Sequence, residues 1–364
     1  MSTITYKCPN CAGRLEFNST LQTMKCPFCD STFAVAELEA ADQALVEVGL
    51  EPSQPAEWVM PSNSWAPGEQ EGMFVYTCQT CAGAIISDQT LSTTSCPYCG
   101  NPVIITERFT GQLKPDLVLP FQLTKENAKA ALIKHYEGKP FLPKFFTDSN
   151  RIDEVKGVYV PFWLFDSIVD AEAVYDCTRV RRYSDIRFNY TETNRYAVSR
   201  SGVVEFLHVP VDGSEKLADD MMESIEPFDY SQLARFQTAY LAGYSANVYD
   251  VSAETAIVRA QERMKATTDE VVRSSISGYS TVTLRHMNIE HRNPHCFYAL
   301  LPVWLLSSTY EGNVYTFAMN GQTGRLVGDL PIDKRLRRAS YWKTASLVFG
   351  ILMVLSLALG WMGG

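Results

Sequence analysis

At 364 residues the chain is long enough for two or three folding units, and a hydrophobic content of 46% with 12% aromatics supports a packed core. Its net charge is −9, and eight acidic residues with no Lys or Arg across residues 37–72 nearly account for that total. The first eleven residues lack the charged-then-apolar pattern of a secretory leader, so the bulk of the chain is expected to begin in the cytosol.

Residues 1–36 hold Cys8-x2-Cys11 and, fourteen residues further on, Cys26-x2-Cys29. Residues 73–106 repeat this layout at Cys78, Cys81, Cys96 and Cys99, at a constant offset of seventy. Tyr6 matches Tyr76, Ala12-Gly13 matches Ala82-Gly83, Leu21 matches Leu91, and Pro27 matches Pro97. Two Cys-x2-Cys turns close a tetrahedral shell of four sulfurs that suits zinc, so both copies read as zinc ribbons. Disulfides or a thioredoxin-like redox pair are the competing readings, and two quartets at one spacing without a leader weigh against them. Four thiolates leave no position open for water or substrate, so the two Zn2+ ions expected here are structural. Gly13 and Gly83 fall just past the first knuckle, where the turn needs backbone freedom. β-Prone runs at 14–17 and 84–87 supply the ribbon strands.

Leu38, Leu45 and Val48 line one face of a short helix over 36–48. Pro52, Pro55, Pro61 and Pro67 then give the acidic segment, 37–72 as a whole, a linker composition. Trp58 and Trp65 inside it read either as docked on a neighbouring surface or as anchors for a partner.

Residues 107–335 form a mixed α+β, β-rich domain. Thr124 caps a helix to Tyr136, with Ala128, Ala131, Leu132 and Tyr136 on one face and Gly138 ending it. A β-rich run follows over 158–180. The spacing predicts a helix over 214–225 on Leu217, Met221 and Ile225, and a longer one over 252–273 on Ile257, Ala260, Met264, Val271 and Val272. Strands are expected over 279–289 and 298–330, with loops at 311–313 and 320–324. The domain carries a weak internal duplication. Leu119-Pro120-Phe121 before a helix resembles Glu226-Pro227-Phe228 before 231–240, and Val160-Pro161-Phe162-Trp163-Leu164 resembles Leu301-Pro302-Val303-Trp304-Leu305.

After Lys343 there are twenty-one uncharged residues, and 345–362 is almost wholly apolar. Eighteen residues of helix span ~27 Å, close to the ~30 Å hydrocarbon core. Leu347, Val348, Phe349, Ile351, Leu352, Val354, Leu355, Leu357 and Leu359 supply roughly −3 to −5 kcal/mol on the insertion scale. Lys334, Arg335, Arg337, Arg338 and Lys343 precede the span, and Tyr341, Trp342 and Trp361 lie near its ends. Residues 336–364 thus read as a basic juxtamembrane segment and a transmembrane helix, tail-anchoring the chain to the cytoplasmic membrane with its N-terminus in the cytosol.

No phosphate-binding loop, nucleophile elbow, HExxH pair or dinucleotide fingerprint occurs, and no catalytic residue is assigned. His286, His291 and His295 lie together with Glu290 and Cys296, but Pro294 breaks a helical face and a strand would set His286 opposite the other two. Nucleic acid is the alternative ligand. Ribbon 1 carries Lys7, Arg14 and Lys25 against Glu16 and Asp30, and ribbon 2 carries only Asp88, a poor basis for displacing counterions. Phe28, Tyr76 and Tyr98 could stack a base but read first as ribbon core. Cys177 and Cys296 read as free buried thiols.

Several motifs together resemble one bacterial family. They are the two knuckle sets, Tyr159-Val160-Pro161-Phe162-Trp163-Leu164-Phe165-Asp166, Tyr240-Leu241-Ala242-Gly243-Tyr244, Asn320-Gly321-Gln322-Thr323-Gly324 and the terminal apolar stretch. The family is the YdjG-like, TFIIB-type zinc-ribbon membrane proteins, sometimes labelled as related to the primosomal helicase. No nucleotide loop supports the helicase label. The resemblance implies a membrane-anchored adaptor working beside PspA-like and flotillin-like SPFH proteins in envelope stress. Protein partners and membrane lipid are therefore expected, and an enzyme is not.

Overall fold

The computed structural model describes residues 8, 15–18, 22–36, 56–88, 95–109 and 113–362, the side chains of 105–107, 150 and those after Met353 excepted. These form two units, one of residues 1–60, 164–211 and 254–296, the other of 61–163, 212–253 and 297–364. Cys11, most of the helix expected over 36–48 and the acidic run 37–55 lie outside the described residues.

In the first unit, β1 (Glu16–Asn18), β2 (Thr23–Lys25) and β3 (Thr32–Phe33) make a separate antiparallel sheet of three strands, with Phe17 opposite Met24 and Met24 opposite Phe33. Its core is Leu15, Met24 and Phe33 around Cys8 and Cys26.

The second unit is organised around two short parallel pairings. β7 (Leu117–Val118) lies beside β12 (Thr281–Tyr310), with Val118 opposite Leu300. β11 (Ser245–Asn247) lies beside β8 (Lys156–Ser184), with Ala246 opposite Tyr159. Each short strand leads, seven residues on, into a helix: α1 (Lys125–Tyr136) after Val118 and α4 (Ala253–Ser274) after Ala246. The hydrogen bonds then repeat at matched positions. Trp304 donates its indole N–H to the Leu123 carbonyl at 3.2 Å, and Trp163 donates to Val251 at 2.9 Å, each acceptor standing two residues ahead of its helix. Gly321 N–H bonds Pro302 O at 2.8 Å, and Gly213 N–H bonds Pro161 O at 2.9 Å. The Gly321 carbonyl accepts from Gln122 and Leu123, and the Gly213 carbonyl accepts from Asp250 and Val251. The counterpart of Leu119-Pro120-Phe121 is thus Asn247-Val248-Tyr249. The expected match at 226–228 fails, and 231–240 holds only 3-10 turns at Tyr230–Gln232 and Thr238–Leu241 around the two-residue β10 (Ala234–Arg235).

Thr124 caps α1 with a capping box completed by Asn127, and the buried face is Ala128, Leu132 and Tyr136. That face packs with Leu142, Phe146 and Val155, the last just past the one-turn α2 (Ser149–Ile152), against Trp304, Leu306, Phe317 and Met319. β13 (Asn313–Asn320) returns antiparallel on β12 and pairs with β14 (Leu326–Gly328). Three of the motifs that carry the resemblance, those at Tyr159, Tyr244 and 320–324, meet around Phe121. Tyr244 stacks on Phe121 at 4.1 Å and covers Gly157, where a Cβ would meet its ring at 2.5 Å. Asn320, fully buried, accepts from the N–H groups of Gln322 and Thr323 and donates to the Ile225 carbonyl. This is a turn, as expected of 320–324.

Two expected elements differ. The helix over 214–225 shrinks to α3 (Asp219–Ser224), whose N-cap, Ala218, offers no side-chain acceptor; Met222, not Met221, is buried, with Leu217 and Ile225 held outside the helix. The strand over 279–289 joins the first part of 298–330 in one, because β12 runs unbroken through Pro294 to Tyr310. A residue of positive φ, Asn293 at +49°, accommodates the proline, and the Pro294 carbonyl accepts from Val59 N–H.

In the first unit, β9 (Asn189–Asp212) pairs with β8, and α4 lays Ala256, Ala260, Met264, Thr268 and Val272 at four-residue spacing into the protein. Val271, expected on that face, is exposed. Val272 packs with Ala173, Tyr175, Cys177, Val198, Ile276 and Met287. Cys177 and Cys296 are buried and outside any disulfide. Trp58 is buried edge-on to Phe165 at 5.2 Å, and Val59 forms a parallel bridge with His295. Within the second unit Trp65 meets Phe109 at 5.4 Å and Phe236 at 5.8 Å. Both tryptophans are docked, so the end of the expected linker is part of the fold.

His291 stands 3.0 Å from the Ser167 hydroxyl, and burial holds its pKa below the ordinary imidazole value. Protonation is therefore easier in the unfolded chain, and stability is lost as pH falls from about 6.5. His291→Gln is expected to flatten the decline in unfolding free energy between pH 7 and 5. An unchanged slope in urea titrations would exclude this assignment.

The chain ends in α5 (Lys334–Met362). Among the described residues no helix is long and apolar enough to cross a membrane. The expected span, 345–362, has described side chains only to Met353.

Candidate metal centres

In ribbon 2, β4 (Met73–Cys78) pairs with β5 (Ala84–Asp88) and β6 (Val103–Arg108). Cys78 closes β4, and the turn that follows brings Cys81 back beneath it. The Ala82 N–H bonds the Cys78 carbonyl at 2.8 Å, and the Cys78 N–H bonds the Gly83 carbonyl at 3.0 Å. The left-handed residue of this turn is Ala82, at φ +54°, and not Gly83 as expected. Gly83 is required by space: a Cβ there would come within 3.1 Å of the Tyr98 ring and 3.4 Å of Cys81 Sγ. The second knuckle closes by Gly100 N–H to Cys96 O and Cys96 N–H to Asn101 O.

These turns bring four sulfurs together. Cys78 Sγ lies 3.5 Å from Cys99 Sγ, Cys81 Sγ lies 3.6 Å from Cys96 Sγ, and all four fall within 4.8 Å of one another. Metal–sulfur bonds of ~2.3 Å imply a tetrahedral edge of about 3.8 Å, whereas a disulfide needs ~2.05 Å. The spacing therefore suits a shared ion and not a bridge. N–H groups point at the sulfurs, from Tyr98 N to Cys96 at 3.4 Å and from Asn101 Nδ2 to Cys99 at 3.3 Å. Burial alone would raise the Cys78 thiol, but the N–H groups of Cys81 and Thr80 and the neighbouring thiols bring it down to about 7. Burial raises Cys81 and Cys96. Cys78 is thus held nearer the thiolate that a metal takes than Cys81 or Cys96.

Ribbon 1 repeats the geometry as far as it is described. Cys8 Sγ and Cys29 Sγ lie 3.5 Å apart, and Cys8, Cys26 and Cys29 form one group. Asp30 N–H to Cys26 O and Cys26 N–H to Ser31 O match the second knuckle of ribbon 2, and Asp30 takes the positive φ of Gly100. Each group could hold a metal ion, and the donor sets are consistent with zinc. Among the described residues only these two groups bring three or more Cys, His, Asp or Glu ligand atoms together. In the His286–His295 stretch, His291 lies 3.0 Å from the Ser167 hydroxyl and His295 lies 2.9 Å from the Asn293 carbonyl.

The two ribbons differ in their surroundings. Ile86 of β5 pairs with Ala246, so ribbon 2 extends the main sheet of its unit. Ser307 Oγ donates to Pro97 O at 2.8 Å, Thr309 Oγ1 to Cys99 O at 3.5 Å, and Lys156 Nζ to Ser95 Oγ at 2.6 Å. Burial holds the Lys156 amine below its ordinary value, opposed by Cys96. Nothing in the local sequence marks these clamps, because each comes from a strand that is remote in the chain. Tyr76 and Tyr98 are buried, as ribbon core should be. Phe28, the counterpart of Tyr98, is not: it is 76% exposed, and Phe17 is 53% exposed.

These features define a protein with two cysteine clusters, one a quartet and the other a group of three among the described residues, on a mixed, β-rich α+β scaffold. Over 357 residues, 98% of each chain, it is 34% identical to a protein of Bacillus subtilis (strain 168) named Uncharacterized protein YdjG, and it belongs to that family. No family model matches the chain, and no solved structure does.

Proposed function

We propose that this protein is a zinc-ribbon adaptor held at the cytoplasmic membrane by its C-terminal helix, with its N-terminus in the cytosol. Ribbon 2 serves as a structural staple and ribbon 1 as the recognition surface. The observation that carries this reading is the contrast between them: one hides its aromatic tip against its own unit, and the other leaves Phe17 and Phe28 exposed beside the group Cys8, Cys26 and Cys29. An ion with four sulfurs has no free position for turnover, which favours recognition over catalysis. The anchor is supported by the exposure of Leu347, Val348, Phe349, Ile351, Leu352 and Met353, which cover most of the circumference of α5, and by the five basic residues ahead of them. The resemblance to zinc-ribbon membrane proteins suggests PspA-like or SPFH-type partners in bacterial envelope stress.

Flotation with uncharged phosphatidylcholine vesicles tests the anchor. The full chain is expected to float and to withstand high salt, and a chain ending at Lys343 to sink; a full chain that sinks excludes the anchor. Pull-down with a PspA-like or SPFH protein as bait tests the recognition surface. Phe28→Ala is expected to lose at least tenfold in retention, and equal retention excludes ribbon 1 as the contact. The competing nucleic-acid reading predicts salt-sensitive filter retention of the same chain.

A further inference from the structure

The distal part of the β8–β9 hairpin, residues 179–200, is not used by the proposed function. It carries six arginines (179, 181, 182, 187, 195 and 200) against Asp185 and Glu192, a local +4 in a chain of net −9. At its base Arg179 Nε donates to the Gly278 carbonyl at 3.1 Å, with the guanidinium 5.6 Å from the Tyr196 ring and 5.3 Å from the Tyr279 ring. Val180 N–H bonds the Ser280 hydroxyl. From there the strands run free for about five residues, roughly 17 Å, and every residue from Arg181 to Glu192 is exposed.

The tip is nevertheless well defined. Asp185 Oδ1 accepts from the N–H groups of Arg187 and Phe188, its Oδ2 accepts from the Tyr190 hydroxyl, and Asp185 N–H bonds the Phe188 carbonyl. These bonds fix a four-residue turn. It presents Ile186, completely exposed, and Phe188, 63% exposed. Phe188 lies 6.3 Å from Tyr190, which stacks on Tyr183 at 5.1 Å. Arg181, Arg182 and Arg187 take part in no ion pair among the described residues. Ile186 buries nothing, so its apolar side chain does nothing for the fold.

We infer that this hairpin is an interfacial wedge for an anionic lipid surface: Ile186 and Phe188 enter the headgroup–acyl boundary while the arginines engage lipid phosphates. An aliphatic tip, an aromatic belt and unpaired guanidinium groups are what such a boundary accepts. Nucleic acid fits less well, because Ile186 has no face on which a base can stack and Tyr183 and Tyr190 already stack on each other. The inference rests on the proposed anchor only in setting the chain beside a bilayer.

The full chain in lipid nanodiscs, open to solvent on both faces, tests it by tryptic cleavage after Arg181, Arg182 and Arg187. Cleavage is expected to be at least tenfold slower in discs containing phosphatidylglycerol than in discs of phosphatidylcholine alone. Replacing both tip residues, Ile186→Ser with Phe188→Ser, should abolish most of that difference, and both sites are too exposed for the fold to suffer. Equal cleavage in the two lipids overturns the proposal. So does protection by a single-stranded oligonucleotide with no dependence on lipid charge. A chain that does not enter discs at all defeats the anchor alone, and protection of its hairpin by added phosphatidylglycerol vesicles would still uphold the wedge.

Discussion

Cys78→Ser is expected to remove one metal equivalent and to lower the main thermal transition by about 10 °C, whereas Cys26→Ser removes one equivalent and leaves that transition nearly in place. The asymmetry follows from the sheet. Ribbon 2 continues the strand order through Ile86 and Ala246, and its knuckle is tied by Ser307, Thr309 and Lys156 to strands that carry the unit's core. The free energy of a structural tetrathiolate site, ~10–16 kcal/mol in isolated finger peptides, is folding free energy. Passing even ~3–5 kcal/mol of it to the scaffold gives the stated shift, at about 2–4 °C per kcal/mol for a unit of this size. Ribbon 1 has its own sheet, and among the described residues no strand of it pairs with the rest. Metal content and calorimetry of the two variants decide the matter; equal shifts would show that the ribbons bear on the fold alike.

Trp304→Ala is expected to cost ~3–5 kcal/mol, the range for deleting a large buried aromatic. Trp304 is almost fully buried, meets Phe121 at 5.1 Å, and holds the Leu123 carbonyl ahead of α1. Trp163→Phe keeps an aromatic ring in place but removes the donor to Val251 and part of the packing against Tyr249 and Tyr298. It should cost ~1–3 kcal/mol, since the partly buried carbonyl loses its donor. Urea unfolding measures both. A loss below about 1 kcal/mol for Trp304→Ala would mean that the paired tryptophans are not the supports described above.

The parts of this structure legible in the sequence were those fixed by near neighbours. Cys-x2-Cys turns set their own geometry, so the sulfurs of ribbon 2 and the described half of ribbon 1 meet as the spacing requires. Thr124 and Asn127 close the cap of α1 within one turn. What could not be read depends on remote partners. The strand through Pro294 survives because Val59, some 235 residues earlier, takes its carbonyl. The counterpart of Leu119-Pro120-Phe121 is Asn247-Val248-Tyr249, which shares none of its residue types, because the likeness lies in backbone hydrogen bonds and parallel register. Phe28 and Tyr98 occupy the same place in the two ribbons, and only the scaffold around ribbon 2 makes one buried and the other free.

The crosswise pairing has a consequence for biosynthesis. β7 finds its parallel neighbour only at Ala299 and Leu300, while β8 waits for Ser245 and Ala246. Neither half can complete itself while the other is missing, so excising one should leave an insoluble fragment and not a smaller domain. At ~5–20 residues per second, the ribosome must hold an open, aromatic-rich intermediate for roughly ten seconds or longer between the first short strand and its mate. The nascent chain is therefore expected to need shelter until Ala299 and Leu300 have emerged.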